Sequence, residues 1–197
     1  MRRITMFNRV SLDGSFASAD GKLVWMVPDD ELDEIGASAS GSTDTLLLGR
    51  KTYEMFASFW PKALRDPNVP DPHGAQRRSA QQGTFAASLE RMTKLVFSRT
   101  LSEVSWNNSH LVREFEPQKI AALKEQTGGD ILVLGSGSIV SLLTQHALID
   151  DYQFVVGPVV LGSGRPLFHG VTQDRKLKLQ ESRAFSSGNV LLHYTRG

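Results

Sequence analysis

From Asp130 to Leu143 the chain reads DILVLGSGSIVSLL, and this stretch narrows the available folds more than any other. Ile131 to Leu134 form an unbroken apolar run of the length of a buried strand, and Ile139, Val140, Leu142, Leu143 and Ala147 recur at helical spacing. Between them stand only Gly135, Ser136, Gly137 and Ser138. A buried strand that turns at once into an amphipathic helix is the repeating unit of an α/β fold. A helix start there points free N–H groups and a positive dipole end into the turn, which suits an anion. Gly135 and Gly137 allow close backbone approach, and Ser136 or Ser138 can cap the helix or donate a hydroxyl. The dinucleotide fingerprint G-x-G-x-x-G is incomplete, because Val140 stands where the third glycine belongs. A plain capped turn and a phosphate site both satisfy these residues.

The same unit recurs along the chain. Strands are expected at Ile4 to Val10, Thr45 to Leu48, Lys94 to Ser98, Leu111 to Arg113, Ile131 to Leu134, Tyr152 to Leu161, Leu177 to Glu181 and Val190 to Tyr194. Helices are expected to begin near Pro28, Arg50, Pro117 and Ser138. FSSGN, between the last two strands, reads as a hairpin connection, so the sheet should be mixed and mostly parallel, with an antiparallel C-terminal edge. The expected fold is α/β, a single domain over residues 1–197, with helices flanking one sheet. Two long loops interrupt the pattern, Ser11 to Trp25 and Phe59 to Gly83, and loops of that length are either functional lids or disordered. Phe59 and Trp60 could line a pocket, whereas Arg77 to Gly83 reads as solvated. In the C-terminal VLGSGRPLF, Gly162, Gly164 and Pro166 read as a structural loop and Phe168 as a core anchor.

A second strand-to-helix turn, LLLGRKTYEMF, places Arg50 and Lys51 in the first turn of a helix, where the macrodipole disfavours cations. A bound anion reverses that penalty, Thr52 could add a hydroxyl, and Gly49 would let a ligand approach the backbone. The alternative is two side chains extended into water. A third strand, in KLVFSRTL, ends in Ser98-Arg99-Thr100. Ligands of open α/β sheets bind at the carboxyl ends of strands, so three such turns point to an extended anionic cofactor.

Composition removes other classes. The chain has no cysteine, so thiol chemistry, disulfides and cysteine-held metal are excluded, and its five scattered histidines offer no ligand spacing, so no metal is expected. A net charge of +1 gives no case for nucleic acid as a partner. No apolar run approaches a membrane span, and the N-terminal apolar stretch is too short for a signal peptide, so a cytoplasmic location is the default expectation.

GRKTYE, VFSRTL, VLGSGSIVSLL and GPVVLGSGRPLF, in this order, together with SLDG at Ser11 to Gly14, resemble the dihydrofolate reductase superfamily. The bacterial branch similar to the reductase domain of riboflavin biosynthesis is the nearest match, and the resemblance runs from Ile4 to Tyr194. It implies NADPH lying across the strand ends and hydride transfer to a C=N or C=O group of a small heterocycle, pterin-like or pyrimidine-like. Arg50 and Arg99 would then meet the 2′-phosphate region, Thr52 a phosphate, Ser98 the adenosine side, and Gly135 to Ile139 the pyrophosphate. Gly135-Ser136-Gly137 stands where dihydrofolate reductases carry two adjacent glycines, which raises the expectation of a cis peptide between Gly135 and Ser136. A homodimer is expected, with the FVVGPVVL strand as a contributor.

The resemblance also implies one acid that supplies the proton. WMVPDDEL is similar to the reductases' segment in which a tryptophan, here Trp25, precedes a proline-started helix bearing the acid, which selects Asp30. The competing reading is that Asp29, Asp30 and Glu31 are ordinary helix-start acids. Asp13 is a second candidate, set against a plain turn role for Asp-Gly. Two alternatives to a pterin or pyrimidine reductase stay open: reduction of the ribosylaminopyrimidine phosphate of riboflavin synthesis, and a protein that binds or sequesters a nucleotide without catalysis. Against a full bifunctional riboflavin enzyme stands the lack of the cysteines that the zinc site of its deaminase domain needs.

Overall fold

A computed structural model describes residues 1–66, 68–70 and 80–197. The elements follow in the order β1 (Ile4–Ser11), β2 (Ser15–Ala17), α1 (Asp30–Ala39), β3 (Thr43–Gly49), α2 (Arg50–Arg65), α3 (Ala80–Arg91), β4 (Thr93–Phe97), β5 (Ser109–Val112), α4 (Pro117–Lys124), β6 (Asp130–Leu134), α5 (Gly137–Gln145), β7 (Asp151–Gly157), β8 (Arg165–Pro166), β9 (Leu177–Ala184) and β10 (Val190–Arg196). Eight strands form one sheet in the order β5-β4-β3-β6-β1-β7-β10-β9. Every pairing from β5 to β7 is parallel, and β10 runs antiparallel to both of its neighbours, β7 and β9. The expected α/β domain with its antiparallel C-terminal hairpin is the one observed.

The apolar runs exist because the central strands are covered on both faces. Side chains alternate between the faces. In β3, Leu47 joins a cluster with Ile139, Val140 and Leu143 of α5 and Ile120 of α4, whereas Leu46 and Leu48 join Tyr53 of α2 and Leu89 of α3 on the other face. In β6, Ile131 and Val133 take the first face, and Leu132 and Leu134 the second. Leu32 of α1 packs over the C-terminal end of the sheet with Val155, Phe185 and Leu191.

Several expectations need correction. The supposed loop from Phe59 is helical as far as Arg65, with Pro61 inside α2, and α3 resumes at Ala80. An internal proline removes one helical hydrogen bond. Ring packing offsets that loss: Trp60 makes edge-on contacts with Phe56, Phe59 and Phe85 at centroid distances of 6.1, 5.0 and 5.2 Å. The solvated segment expected at 77–83 falls partly outside the described residues. The strand expected to run to Leu161 stops at Gly157, and the loop that follows contributes β8, which pairs with β2 in a two-stranded ribbon. Phe168 is 37% exposed and anchors no core. No helix among the described residues is long and apolar enough to cross a membrane.

Candidate active site

The carboxyl ends of β4, β3 and β6 open into one cavity of about 740 Å³, a volume typical of ligand sites. It gathers Gly49, Arg50, Lys51 and Thr52 from the start of α2, Ser98, Arg99 and Thr100 from the end of β4, and Gly135 to Ser138 from the start of α5. The three turns singled out in the sequence therefore meet. Ile139 does not line this cavity; it turns inward and is 3% exposed in the core.

Two helices begin at the cavity without a side-chain cap: α2 after Gly49 and α5 after Ser136. The serines expected to cap α5 do not, so the helix-start N–H groups are left for a ligand. Instead, the hydroxyls tie the turns together. Gly49 N–H donates to Ser136 Oγ at 3.0 Å, and Ser136 N–H donates to Thr52 Oγ1 at 3.1 Å. Thr52 keeps its O–H for a ligand oxygen. Ser98 Oγ accepts from the N–H groups of Thr100 and Leu101, at 3.2 and 3.0 Å, and so shapes its own turn.

The Gly135–Ser136 peptide is trans, contrary to expectation, and the bend comes from two successive left-handed residues, Gly135 at φ 56° and Ser136 at φ 51°. Glycine is needed at both ends of this turn. A Cβ on Gly135 would lie 3.3 Å from Thr52, and one on Gly137 would lie 2.7 Å from the Phe16 ring.

The proton-donor candidates are elsewhere. Asp30 is exposed in the first turn of α1 and lies outside the cavity lining. The cap of that helix is Asp29, whose carboxylate accepts from the N–H groups of Glu31 and Leu32, both at 3.0 Å. Asp13 also lies outside the lining. Its carboxylate accepts from Ser11 Oγ and from the N–H groups of Leu161 and Gly162 (2.6, 3.1 and 2.8 Å), and these bonds hold its pKa below the ordinary carboxylate range. It fastens the SLDG turn to the loop after β7. Among the described residues the cavity lining contains no carboxylate.

The aromatic candidates also move. Phe59 is buried and Trp60 packs among neighbouring rings, whereas Trp25 lies against Gly157 at the end of β7; none of the three lines the cavity. That wall is built by Phe7, Phe16, Leu23, Met26, Met55, Phe56 and Phe85.

Three polar residues of the lining escaped the sequence reading: Asn8, Arg9 and Arg165. Asn8 is 2% exposed; its Nδ2 donates to Gly135 O at 2.9 Å, and its Oδ1 is buried without a donor. The signal was present, because Asn8 occupies an inward position of β1 in register with Ile4, Met6 and Val10. Arg9 donates from Nη1 to Val27 O at 3.0 Å and from Nη2 to Asp33 at 3.4 Å. Burial pulls its pKa down and the carboxylates of Asp33 and Asp29 push it up, with burial the larger effect. Arg165, in the loop set aside as structural, donates twice to Ala19 O, at 3.3 and 3.0 Å, and its guanidinium lies over Gly21.

Comparison with known proteins agrees with this geometry. The pattern defining the RibD C-terminal domain matches residues 2–191. The chain is 30% identical to the uncharacterized protein YyaP of Bacillus subtilis (strain 168), over 98% of this chain and 94% of that one. A candidate riboflavin biosynthesis protein from Shewanella sp. PV-4 superposes with a TM-score of 0.73 at 25% identity, over 100% of this chain and 99% of the other. Dihydrofolate reductase from Enterococcus faecalis shares the fold, with a TM-score of 0.60 at 11% identity over 99% and 96%.

Proposed function

Because the chain belongs to the RibD C-terminal domain family, a family of reductase type, we propose that it is an NADPH-dependent reductase that transfers a hydride to a small heterocyclic substrate, pterin-like or pyrimidine-like. The observation that carries this reading is the pair of uncapped helix starts facing one cavity amid Arg50, Lys51 and Arg99. The residues fit such a cofactor. The N–H groups at Gly137 and Ser138 suit a pyrophosphate, and Arg50 and Arg99 suit a 2′-phosphate. The orphaned Asn8 Oδ1 suits a carboxamide N–H. When bound, NADPH supplies the hydride. The chain's own residues hold the phosphates, bridge the two turns and keep the substrate side of the cavity apolar. A homodimer belongs to the same proposal, although the FVVGPVVL segment leaves the sheet after Gly157, and sedimentation reads it directly.

The test is calorimetric titration with NADPH and NADH. NADPH should bind more tightly by about 1.5–3 kcal/mol per well-placed arginine contact, and Arg50→Ala should narrow that gap. Equal affinities in the unmodified protein refute the reading. The absence of a carboxylate from the described lining favours a second reading, nucleotide binding without turnover. NADPH that binds, yet is not consumed with any of a panel of pterins, pyrimidines and carbonyl compounds, decides for it.

A further inference from the structure

Beyond the phosphate-holding turns the cavity changes character. Its far wall comes from β1, the segment after β2, the second turn of α2, and α3; it presents Phe7, Leu23, Met26, Met55, Phe56 and Phe85. Among the described residues two guanidinium groups border that wall, Arg9 from β1 and Arg165, which lies over Gly21 and donates to Ala19 O; Arg9 is the one supplied by the sheet itself. Its guanidinium is fixed in place by Val27 O and Asp33, and the side chain is only 19% exposed.

We propose that this compartment takes an unphosphorylated, flat ring bearing a carbonyl conjugated to C=C, and that Arg9 stabilises the oxygen that gains charge on hydride transfer. The inference rests on the reductase reading and names its substrate class. Two features select it. A guanidinium does not give up a proton in a protein, so Arg9 gives no proton to a reduced nitrogen, as in a pterin C=N, and assists instead an acceptor whose charge gathers on oxygen. It can stabilise an oxyanion, and a donor already held in place costs no reorganisation when the charge develops. The wall offers rings and thioethers for an aromatic face. Both guanidinium groups there are already engaged, Arg9 by Asp33 and Arg165 by Ala19 O, so neither is left over to neutralise a phosphate dianion.

The step balances. Hydride leaves the nicotinamide and bonds to the carbon β to the carbonyl; the C=C electron pair shifts so that the carbonyl oxygen becomes an enolate oxygen. Water protonates the enolate. The products are NADP⁺ and the ring reduced by two hydrogens, one from NADPH and one from solvent.

The experiment follows NADPH absorbance with 2-cyclohexenone, menadione and uracil on one arm and dihydrofolate and a phosphorylated ribosylaminopyrimidine on the other; calorimetry of NADPH binding runs beside it. The proposal expects turnover on the first arm only. It also expects Arg9→Met to lower kcat by about 10²–10³-fold with NADPH affinity within about twofold, and Arg9→Lys to recover part of the loss. The rate should show no requirement for a protonated acid between pH 5 and 9. Turnover confined to the second arm, no turnover on either arm, or equal kcat in Arg9→Met and the parent overturns the proposal. If NADPH itself fails to bind, the reductase reading falls instead, and calorimetry separates the two failures.

Discussion

At the scale of single residues, helix-start chemistry explains the acids that the sequence offered as proton donors. Asp30 stands in the first turn of α1 beside its cap Asp29, where a carboxylate is favourable for the helix alone. Asp30→Asn should therefore leave turnover within about twofold and lower stability by about 1 kcal/mol or less, read from steady-state kinetics and a denaturant midpoint. A hundredfold loss would return the role to Asp30. Asp13→Asn should act on stability instead, by weakening the anchor to Leu161 and Gly162. The cationic turns were legible because Arg50 and Lys51 contradict a local rule, the dipole preference at a helix start. Arg165 was illegible, because only the pairing of β2 with β8 brings it to the cavity, and no local pattern announces a two-residue strand. Lys94 is a further case. It reads as an ordinary strand lysine, yet it is fully buried: its Nζ donates to the carbonyls of Glu90, Met92 and Asn107 and stands 4.3 Å from the Trp106 ring.

At the scale of elements, the β6–α5 turn is built by side chains that brace backbone. Ser136 adopts a left-handed conformation that disfavours any residue with a Cβ, by about 1–2 kcal/mol. Its hydroxyl accepts from Gly49 and joins this turn to the start of α2. Ser136→Ala loses that bond and keeps the strain, whereas Ser136→Gly loses the bond and relieves the strain at some cost in chain entropy. The glycine variant should be the more stable of the two by about 0.5–1 kcal/mol, measured by urea unfolding; the reverse order would mean that the turn relaxes when the bond is gone. Strands and their faces were readable from apolar runs. The two ends of Phe59 to Gly83 were misread because its prolines look like loop punctuation, and only the ring cluster of Phe56, Phe59, Trp60 and Phe85, assembled from two helices, shows why α2 continues through Pro61.

At the scale of the whole molecule, the amino-terminal ends of the strands are held together by charge. Asp151 accepts from Arg3 Nε at 2.7 Å and meets His193 Nε2 at 3.0 Å, joining β1, β7 and β10. Burial pushes its pKa up, but these two partners outweigh burial and leave it below the ordinary value. A carboxyl depressed in the folded state adds stability above its unfolded pKa of about 3.9 and loses it as pH falls through the folded value. Stability should therefore fall below about pH 4, and Asp151→Asn should flatten that acid limb in thermal unfolding; an unchanged limb would assign it to other groups. The α/β class and the C-terminal hairpin were legible in local patterns, but the order of the sheet was not, because register is set by partners distant in the chain. Ile4 pairs with Ile131, and Thr5 with Asp151. That arrangement governs how the protein is born. β1, made before every other strand described, sits in the middle of the finished sheet, and both of its neighbours are synthesised more than a hundred residues later. Until β6 emerges, β1 has neither of its final partners, so the nascent chain must carry an open, half-apolar strand through most of its synthesis, and closure of the sheet must wait for long-range pairing, a slow step for any chain.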